Sequence, residues 1–504
     1  MPAHPAFASR HSLTIAALVA LEYLQTIMVS FASSYISGGI DAAPEEFSLA
    51  AAAYATVAVL MILAHRWLVQ RVGYRRLLRL SLFTFALGAL VCANADSVGV
   101  FIVGRMLSAT GGSAFFTAAR VQVLHHRGPA RVPALLAVPV GITLASAAAP
   151  WLASILVTET SWRALFWIML PLTVLVERLV AVTVPQREPV PPPQADKLHP
   201  LAVTLLTVGV FSLQFFLERA RYDLFDHAET ILAGAGLAAL LLLGYLWHEW
   251  RQPRPLIPYS RFSSLRYWLG MTIYGTGYLV VSGCNVILPI FMVQGLGFAL
   301  QSTGWVMGLS SLLGLPIVFL HFRLLQRWPN MRGFLRASML GLAGFAWLAE
   351  RLSPEATLWH IALALIVLNA LFMPFMLGTA AASTFRGIPD SAFSHAYQVK
   401  NSMREIANAL GISVATIVVQ MRTTLHYSRL AEGTTNLSPW YGMANGPADP
   451  LGLAHPDMPA LAQLAGEIGR QSTLLACQDY FVGLGALALL GLLLLQTKTE
   501  KSIG

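Results

Sequence analysis

The sequence predicts an all-α membrane protein of about fourteen transmembrane helices, and three observations carry that prediction. Of the 504 residues, 56% are hydrophobic and 11% are charged, whereas soluble domains carry about 25% charged residues. The mean hydropathy is +0.63. Apolar runs of about 20 residues recur from end to end, each long enough to cross a hydrocarbon core of about 30 Å. A soluble fold of this length could not hide so much apolar surface.

The runs follow one another in order. The first four cover residues 12–35, 47–65, 77–95 and 98–121. The fifth and sixth, 132–157 and 164–184, end at a segment, 185–200, containing Pro189 and Pro191 to Pro193. Proline at that density prevents a helix and makes a stiff connector. Runs seven and eight are 201–217 and 230–247; nine to twelve are 267–292, 303–322, 334–349 and 358–377. Thirteen is 394–420 and fourteen 474–495, and the polar, Gly- and Pro-containing stretch between them, 421–471, reads as one long outer loop. It is either a docking surface or disordered.

The formal net charge is +9, which in a soluble chain would suggest nucleic acid. Here the basic residues sit in short loops between apolar runs, so no nucleic acid is expected. Counting loops from a cytoplasmic N-terminus puts about 24 Lys and Arg inside and about 7 outside. Arg66, Arg71, Arg75, Arg76 and Arg79 form one inner cluster; Arg323, Arg327, Arg332 and Arg336 form another. An even number of spans leaves both termini cytoplasmic. The first run is too long for a cleaved signal peptide and reads as a retained span. Cys92, Cys284 and Cys477 lie in or beside apolar runs and read as small core residues, not as a disulfide or metal set.

At the second inner loop, Arg71, Gly73, Arg75 and Arg76 resemble the loop motif G-x-L-x-D-R-x-G-R-R of the major facilitator superfamily, with Arg66 and Gln70 at its Gly and Asp positions. In the fourth run, Gly104, Arg105, Gly111 and Gly112 look like that family's R-x-x-Q-G-x-G pattern. Pro150, Ala153 and Ser154, followed by Trp162, Arg163 and Phe166, are similar to its antiporter motif G-P-x-x-G-G and W-R-x-x-F, with each Gly replaced by Ala or Ser. Such small residues let helices approach closely. Asn401, Arg404 and Gly411, then Asp479 and Phe481, resemble late motifs of the fourteen-span drug:proton antiporters (DHA2), the EmrB/QacA-like exporters.

The resemblance covers nearly the whole chain. It implies a major facilitator fold with an N-terminal six-helix half (1–184), the connector (185–200), two inserted helices (201–250) and a C-terminal half (251–504). The two Arg-rich loops, around Gly73 and Gly333, agree with related halves. It implies proton-coupled export of small amphipathic compounds from a bacterial inner membrane, with no cofactor but the proton gradient. A specific metabolite or siderophore exporter and a passive permease are the alternatives on the same fold. It also implies a periplasmic adaptor and an outer-membrane channel as partners, with 421–471 as the adaptor contact.

Ionisable groups on spanning helices are expensive and point to function. Glu22 lies three residues before Gln25, on one face of the first run, and Gln25 falls where the family carries an Asp. Hydrocarbon penalises charge, which suits a group that takes up a proton on one side and releases it on the other; the bland reading is a solvated carboxylate near the interface. Arg105 is expected to pair with Glu22 as a charge switch, or else to tether backbone carbonyls. Asn401 and Arg404 are expected in the cavity wall, and Lys400 less so. Tyr23, Gln25, Tyr274, Tyr278, Asn285 and Asn369 are the candidate substrate contacts, since aromatic groups with few polar ones suit varied amphipaths; helix packing is the competing role for each. Glu177 with Arg178, and Glu218 with Arg219, read as helix ends. No H-E-x-x-H, G-x-S-x-G or nucleotide-binding G-x-x-x-x-G-K-[ST] occurs, and His125, His126, His248 and Glu249 lack metal-ligand company, so an enzyme and a metal site are both unexpected.

Overall fold

A computed structural model describes residues 5–124, 131–185, 198–223, 227–385, 387–433 and 458–497. Fourteen long helices dominate it. They are α1 Pro5–Phe31, α2 Pro44–Val72, α3 Tyr74–Ala93, α4 Val98–Leu124, α5 Arg131–Glu159, α6 Met169–Thr183, α7 Pro200–Asp223 and α8 Ala228–Arg251. There follow α9 Leu265–Ile290, α10 Leu300–Arg327, α11 Met331–Glu350, α12 Leu358–Ser383, α13 Asp390–Glu432 and α14 Met458–Thr497. Thirteen are long and apolar enough to cross a membrane. The exception, α11, carries Arg332, Arg336 and Glu350 in 20 residues, yet it packs along α12 and α14 as the fourteenth rod.

An apolar solvent leaves backbone groups no partner but each other, so every crossing is helical. The first helix ends at Phe31 and a short helix, Ser33–Gly39, completes the first run. Between α2 and α3 the chain reverses at Gly73, whose φ of 86° is open to glycine at little cost. Irregularities gather late in the chain. α10 is interrupted at Gly314, just before Pro316. π-Helical turns occupy Phe291–Gly295 at the end of α9, and Leu368–Phe372 and Pro374–Gly378 inside α12. Pro289 and Pro374 remove backbone donors there, and a π-turn absorbs the mismatch. Among the described residues, α1 to α8 contain no π-turn.

Contacts sort the helices into two groups. Helices α1 to α6 pack on one another through α1–α5, α2–α4, α3–α4 and α3–α6. Helices α9 to α14 do so through α9–α13, α10–α12, α11–α14 and α13–α14. The groups meet along two seams, α5 with α10 and α2 with α13, and more lightly between α1 and α9. Helices α7 and α8 pair with each other, and α7 lies against both α2 and α13. One apolar cluster joins them: Val59 and Leu63 of α2, Leu206 and Val210 of α7, Tyr245 of α8, and Ala392 and Ala396 of α13.

Successive antiparallel crossings place the start of α1 and the end of α14 on one face, called here the terminal face; the opposite one is the far face. The expected loop 421–471 is corrected from both sides. Helix α13 runs on to Glu432 and α14 begins at Met458, leaving 434–457 outside the described residues. At 1.5 Å per residue the 43-residue α13 is about 65 Å long, twice the hydrocarbon thickness. The stretch 421–432 holds no Gly or Pro, and its polar side chains find helix partners. Arg422 Nε and His426 Nε2 each lie 2.6 Å from Asp479 Oδ2 on α14. The proline connector is described only at its ends, residues 186–197 lying outside the described set, as do His125 and His126. All three cysteines are free and buried.

Candidate functional site

A cavity of about 320 Å³ lies between the two groups. Its walls are the first half of α5 (Leu135, Pro139, Thr143, Ser146), the second half of α10 (Ser311, Val318, His321) and the second half of α12 (Asn369, Met373, Leu377), with Tyr274 and Tyr278 of α9, Phe116 of α4 and Lys400 of α13. These stretches adjoin the terminal face, so the cavity lies toward that side. At the other end of the same seam α5 and α10 touch. A Cβ on Gly304 would stand 2.3 Å from Ser154 Oγ and 2.6 Å from the Pro150 carbonyl, and one on Gly308 would stand 2.5 Å from the Ala147 carbonyl. Glycine is what allows the backbones to come so close. Pro150 and Ser154, two residues of the antiporter-like motif, thus form a seal against the opposite group.

The second seam is closed differently. On α13, Gln398 donates from Nε2 to the carbonyls of Ile62 (2.9 Å) and Leu63 (2.8 Å) on α2. Asn401 donates to Thr117 Oγ1 of α4 at 2.8 Å. Farther along, Ser413 donates to Glu218 of α7 at 3.3 Å, with both residues buried.

At the centre, beside the cavity, sits a buried ion cluster. Arg404 of α13 is 2% exposed and Glu22 of α1 is 5% exposed. Arg404 donates from Nη2 to Glu22 Oε1 at 2.6 Å and to Glu405 Oε1 at 2.5 Å, and from Nη1 to the Tyr23 hydroxyl at 3.1 Å. Its guanidinium also lies 4.3 Å from the centre of the Phe116 ring. Tyr23 and Tyr278 share a hydroxyl–hydroxyl bond of 2.9 Å, which ties α1 to α9. One guanidinium therefore serves two carboxylates, one from each group of helices. Leaving either charge unpaired in such a setting costs about 3–5 kcal/mol.

The predicted switch between Glu22 and Arg105 is corrected: the partner of Glu22 is Arg404. Arg105 lies over the Tyr54 ring at 4.2 Å, and its Nη1 is buried with no hydrogen-bond partner among the described residues. The reason is geometric, since Tyr54 fills the space that Arg105 faces. Tyr274, Tyr278 and Asn369 line the cavity. Gln25, Asn401 and Arg404 do not; they are buried in helix contacts. Tyr23 is held in the ion cluster behind Tyr278. Asn285 faces a separate crevice of about 20 Å³, whose wall Asn369 shares. Lys400, given less weight than Asn401 and Arg404, is the one of the three that reaches the cavity.

Sequence reasoning passed over His321; Glu405 is legible only as a charge beside Arg404 on the thirteenth run, not as its ion partner. His321 is an ionisable side chain inside an apolar run, which is itself a signal; it is buried and pairs with Thr379 at 3.2 Å. Of the loop motif, Arg71 lies over Trp67 (4.2 Å), Arg75 donates to the Ala181 carbonyl of α6 (2.8 Å) and Arg76 is exposed. Glu177 pairs with Arg79 at 2.8 Å across α3 and α6, not with Arg178. Trp162 packs on Phe101 and Phe166, and Arg163 reaches Asp96 at 2.7 Å. Glu218 and Arg219 lie within α7, and Arg219 pairs with Asp223.

The profile of the Major Facilitator Superfamily matches residues 15–412. The chain is 23% identical to the probable multidrug resistance protein EmrY of Escherichia coli, over 84% of this chain and 83% of that protein. It is 22% identical to the multidrug export protein EmrB of the same organism, over 93% and 91%. Among solved structures it resembles a bacterial homologue of the human lysosomal transporter Spinster, inward-facing and unoccupied. The TM-score is 0.59 at 15% identity, covering 98% of each chain.

Proposed function

This chain belongs to the Major Facilitator Superfamily, and from that premise we propose that it exports small amphipathic compounds in exchange for protons, by alternating access. It is a multi-pass membrane transporter and not an enzyme. Its relatives EmrB and EmrY carry multidrug names, which supports amphipathic cargo.

The observation that carries the proton reading is the Glu22–Arg404 bridge. It joins helices of opposite halves, is buried, and adjoins the cavity. Ionised Glu22 holds α1 to α13. A proton on Glu22 removes the attraction and leaves Arg404 to Glu405, its neighbour on the same helix. The link between halves then loosens just as the charge to be carried has arrived. Proton uptake and relative motion of the halves become one event.

The Arg-rich loops around Gly73 and Gly333 support a cytoplasmic terminal face, in a bacterial inner membrane. The cavity then draws from the cytoplasm or its leaflet, and the helical extensions of α13 and α14 stand in the periplasm. These extensions are the surface we assign to an adaptor partner. Co-purification that survives trimming both extensions would remove that assignment.

The test of transport is dye movement in energised proteoliposomes, wild type beside Glu22→Gln, with and without an uncoupler. The expected outcome is wild-type flux that collapses with uncoupler and a folded, inactive Glu22→Gln. Normal pumping by Glu22→Gln would sink the coupling site. Wild-type flux indifferent to the uncoupler would replace the antiporter with a passive permease.

A further inference from the structure

We propose that a crevice on the outer surface of the C-terminal group is a lipid site. It takes one acyl chain of an anionic phospholipid from the leaflet at the terminal face, with the headgroup phosphate on Arg336. The site is separate from the cavity, and the proposal does not depend on the export reading.

The first argument is a gap that one half closes and the other leaves open. In the N-terminal group the first and last helices, α1 and α6, are joined near the terminal face by a buried bond of 2.9 Å between the Thr14 and Thr183 hydroxyls. The first and last helices of the C-terminal group, α9 and α14, meet near the far face. There the π-turn Phe291–Gly295 lies along α14, and Phe291 packs edge-on against Phe481. Toward the terminal face α14 leans on α11 instead, and a Cβ on Gly491 would stand 2.7 Å from Met339 Sδ. A crevice of about 260 Å³ remains among α9, α11, α12 and α14.

The second argument is what the crevice fits. Among its described lining residues two side chains are polar, Thr272 and Thr276, and the Thr272 hydroxyl is spent on the Trp268 carbonyl at 3.0 Å. A wall so apolar does not hold water. Leu490 and Leu494 belong to it and are exposed, so it opens sideways to the bilayer. On α14 the lining runs from Leu487 to Leu495, about 12 Å at the helical rise. That is close to half of a hydrocarbon core of about 30 Å, the depth of one leaflet.

The third argument is charge at the headgroup end. Arg336 of α11 is exposed and donates from Nη2 to the carbonyl of Leu495, the last residue of the crevice wall, at 3.1 Å. That bond uses one of the five N–H donors of a guanidinium, and a phosphate accepts a pair of them side by side. The terminal-face halves of α9, α11, α12 and α14 hold no Asp or Glu among their described residues, while Arg266, Arg332 and Arg336 stand at the starts of α9 and α11. Basic groups between helices at this level favour anionic lipids over neutral ones.

The test photolabels the purified full chain in nanodiscs with a phosphatidylglycerol that carries a diazirine in one acyl chain, and maps the adducts by peptide mass spectrometry. The expected result is adducts concentrated on residues 335–342 of α11 and 487–495 of α14. Unlabelled phosphatidylglycerol should displace the label about fivefold better than phosphatidylcholine of the same chains, the effect of one cation at the headgroup. Thr276→Phe fills the crevice and removes these adducts, while Leu237→Phe, on the exposed face of α8, keeps them. Arg336→Gln keeps the adducts but brings the two competitors within about twofold. The wild-type map and competition decide the matter even where a variant fails to fold. Adducts spread evenly over the lipid-facing helices overturn the site, as do adducts missing from the crevice because a second copy or a cargo molecule fills it. Adducts that survive in a folded Thr276→Phe overturn it too. Equal competition by the two lipids in wild type, or an unchanged ratio in a folded Arg336→Gln, overturns the anionic assignment.

Discussion

At the α5–α10 seam the two halves meet backbone to backbone in the middle, with Gln301 of α10 donating to Thr158 and Glu159 of α5 at the exposed rim and Trp151 lying against Trp305; at the α2–α13 seam they are tied by buried side-chain hydrogen bonds and backed by two further helices. The first is sealed at the far face by Gly304 and Gly308 and separates into the cavity toward the terminal face. The second is joined by Gln398 to α2, and α7 packs on both of its helices. A contact of glycine against carbonyl has little adhesion of its own, and the Gln301 bonds beside it are exposed and compete with solvent, so this seam can part cheaply. A seam with buried, directed hydrogen bonds and a shared apolar cluster resists parting. The halves are therefore expected to rock about the α2–α13 side and to open on the α5–α10 side.

Five measurements break or sharpen this comparison. The largest effect is expected at the ion cluster between the seams. Arg404→Leu leaves Glu22 buried, and Glu405 half-buried, without their cation, at a cost of about 3–5 kcal/mol. The thermal unfolding midpoint in detergent should fall markedly, and adding Glu22→Gln should recover part of it. A midpoint unmoved by Arg404→Leu would mean the cluster is solvated and joins nothing.

Next is the far-face seal. Gly304→Val forces atoms into space held by Ser154 and Pro150, costing about 1–3 kcal/mol of overpacking. Transport should drop more than tenfold with the protein still folded, because the seal cannot form. Near-wild-type flux would show that α5 and α10 need not touch there. At the other seam, Gln398→Leu removes two hydrogen bonds to carbonyls that retain their helical partners, so about 1 kcal/mol is expected. Flux should change little unless the side thought fixed is the one that moves. Spin labels sharpen the contrast: labels at the terminal-face ends of α5 and α10 should shift in separation on adding substrate, more than labels on α2 and α13. Equal shifts would erase the distinction. The smallest effect belongs to Gly236 on α8, where a Cβ meets nothing within 4 Å; Gly236→Ala should leave flux unchanged.

Much of the architecture was legible because lipid makes it so. A long apolar run has few alternatives to a helix, and fourteen runs correspond to the fourteen rods. The antiporter motif pointed to Pro150 and Ser154, and these meet Gly304 across the seam. Pairings between distant helices were not legible. Glu22 and Arg404 are 382 residues apart, and nothing local says that Tyr54 occupies the place before Arg105. The long outer loop was misjudged for a related reason. Polarity was read as irregular chain, although residues 421–432 contain no Gly or Pro and are anchored by Asp479 of another helix.

The π-turns of α9 and α12 bear on the breadth of cargo. A π-turn carries one residue more than the ladder needs, and that residue is slack. Asn369 and Met373 sit in or beside such turns and face the cavity, while the opposing α5 wall contains none among its described residues. The cavity thus has one compliant side and one stiff side, like a cushion pressed on a plate. Ligands of different outline can be met by shifts of register in α12 without repacking the bundle. Tolerance of shape becomes an elastic property of a single helix.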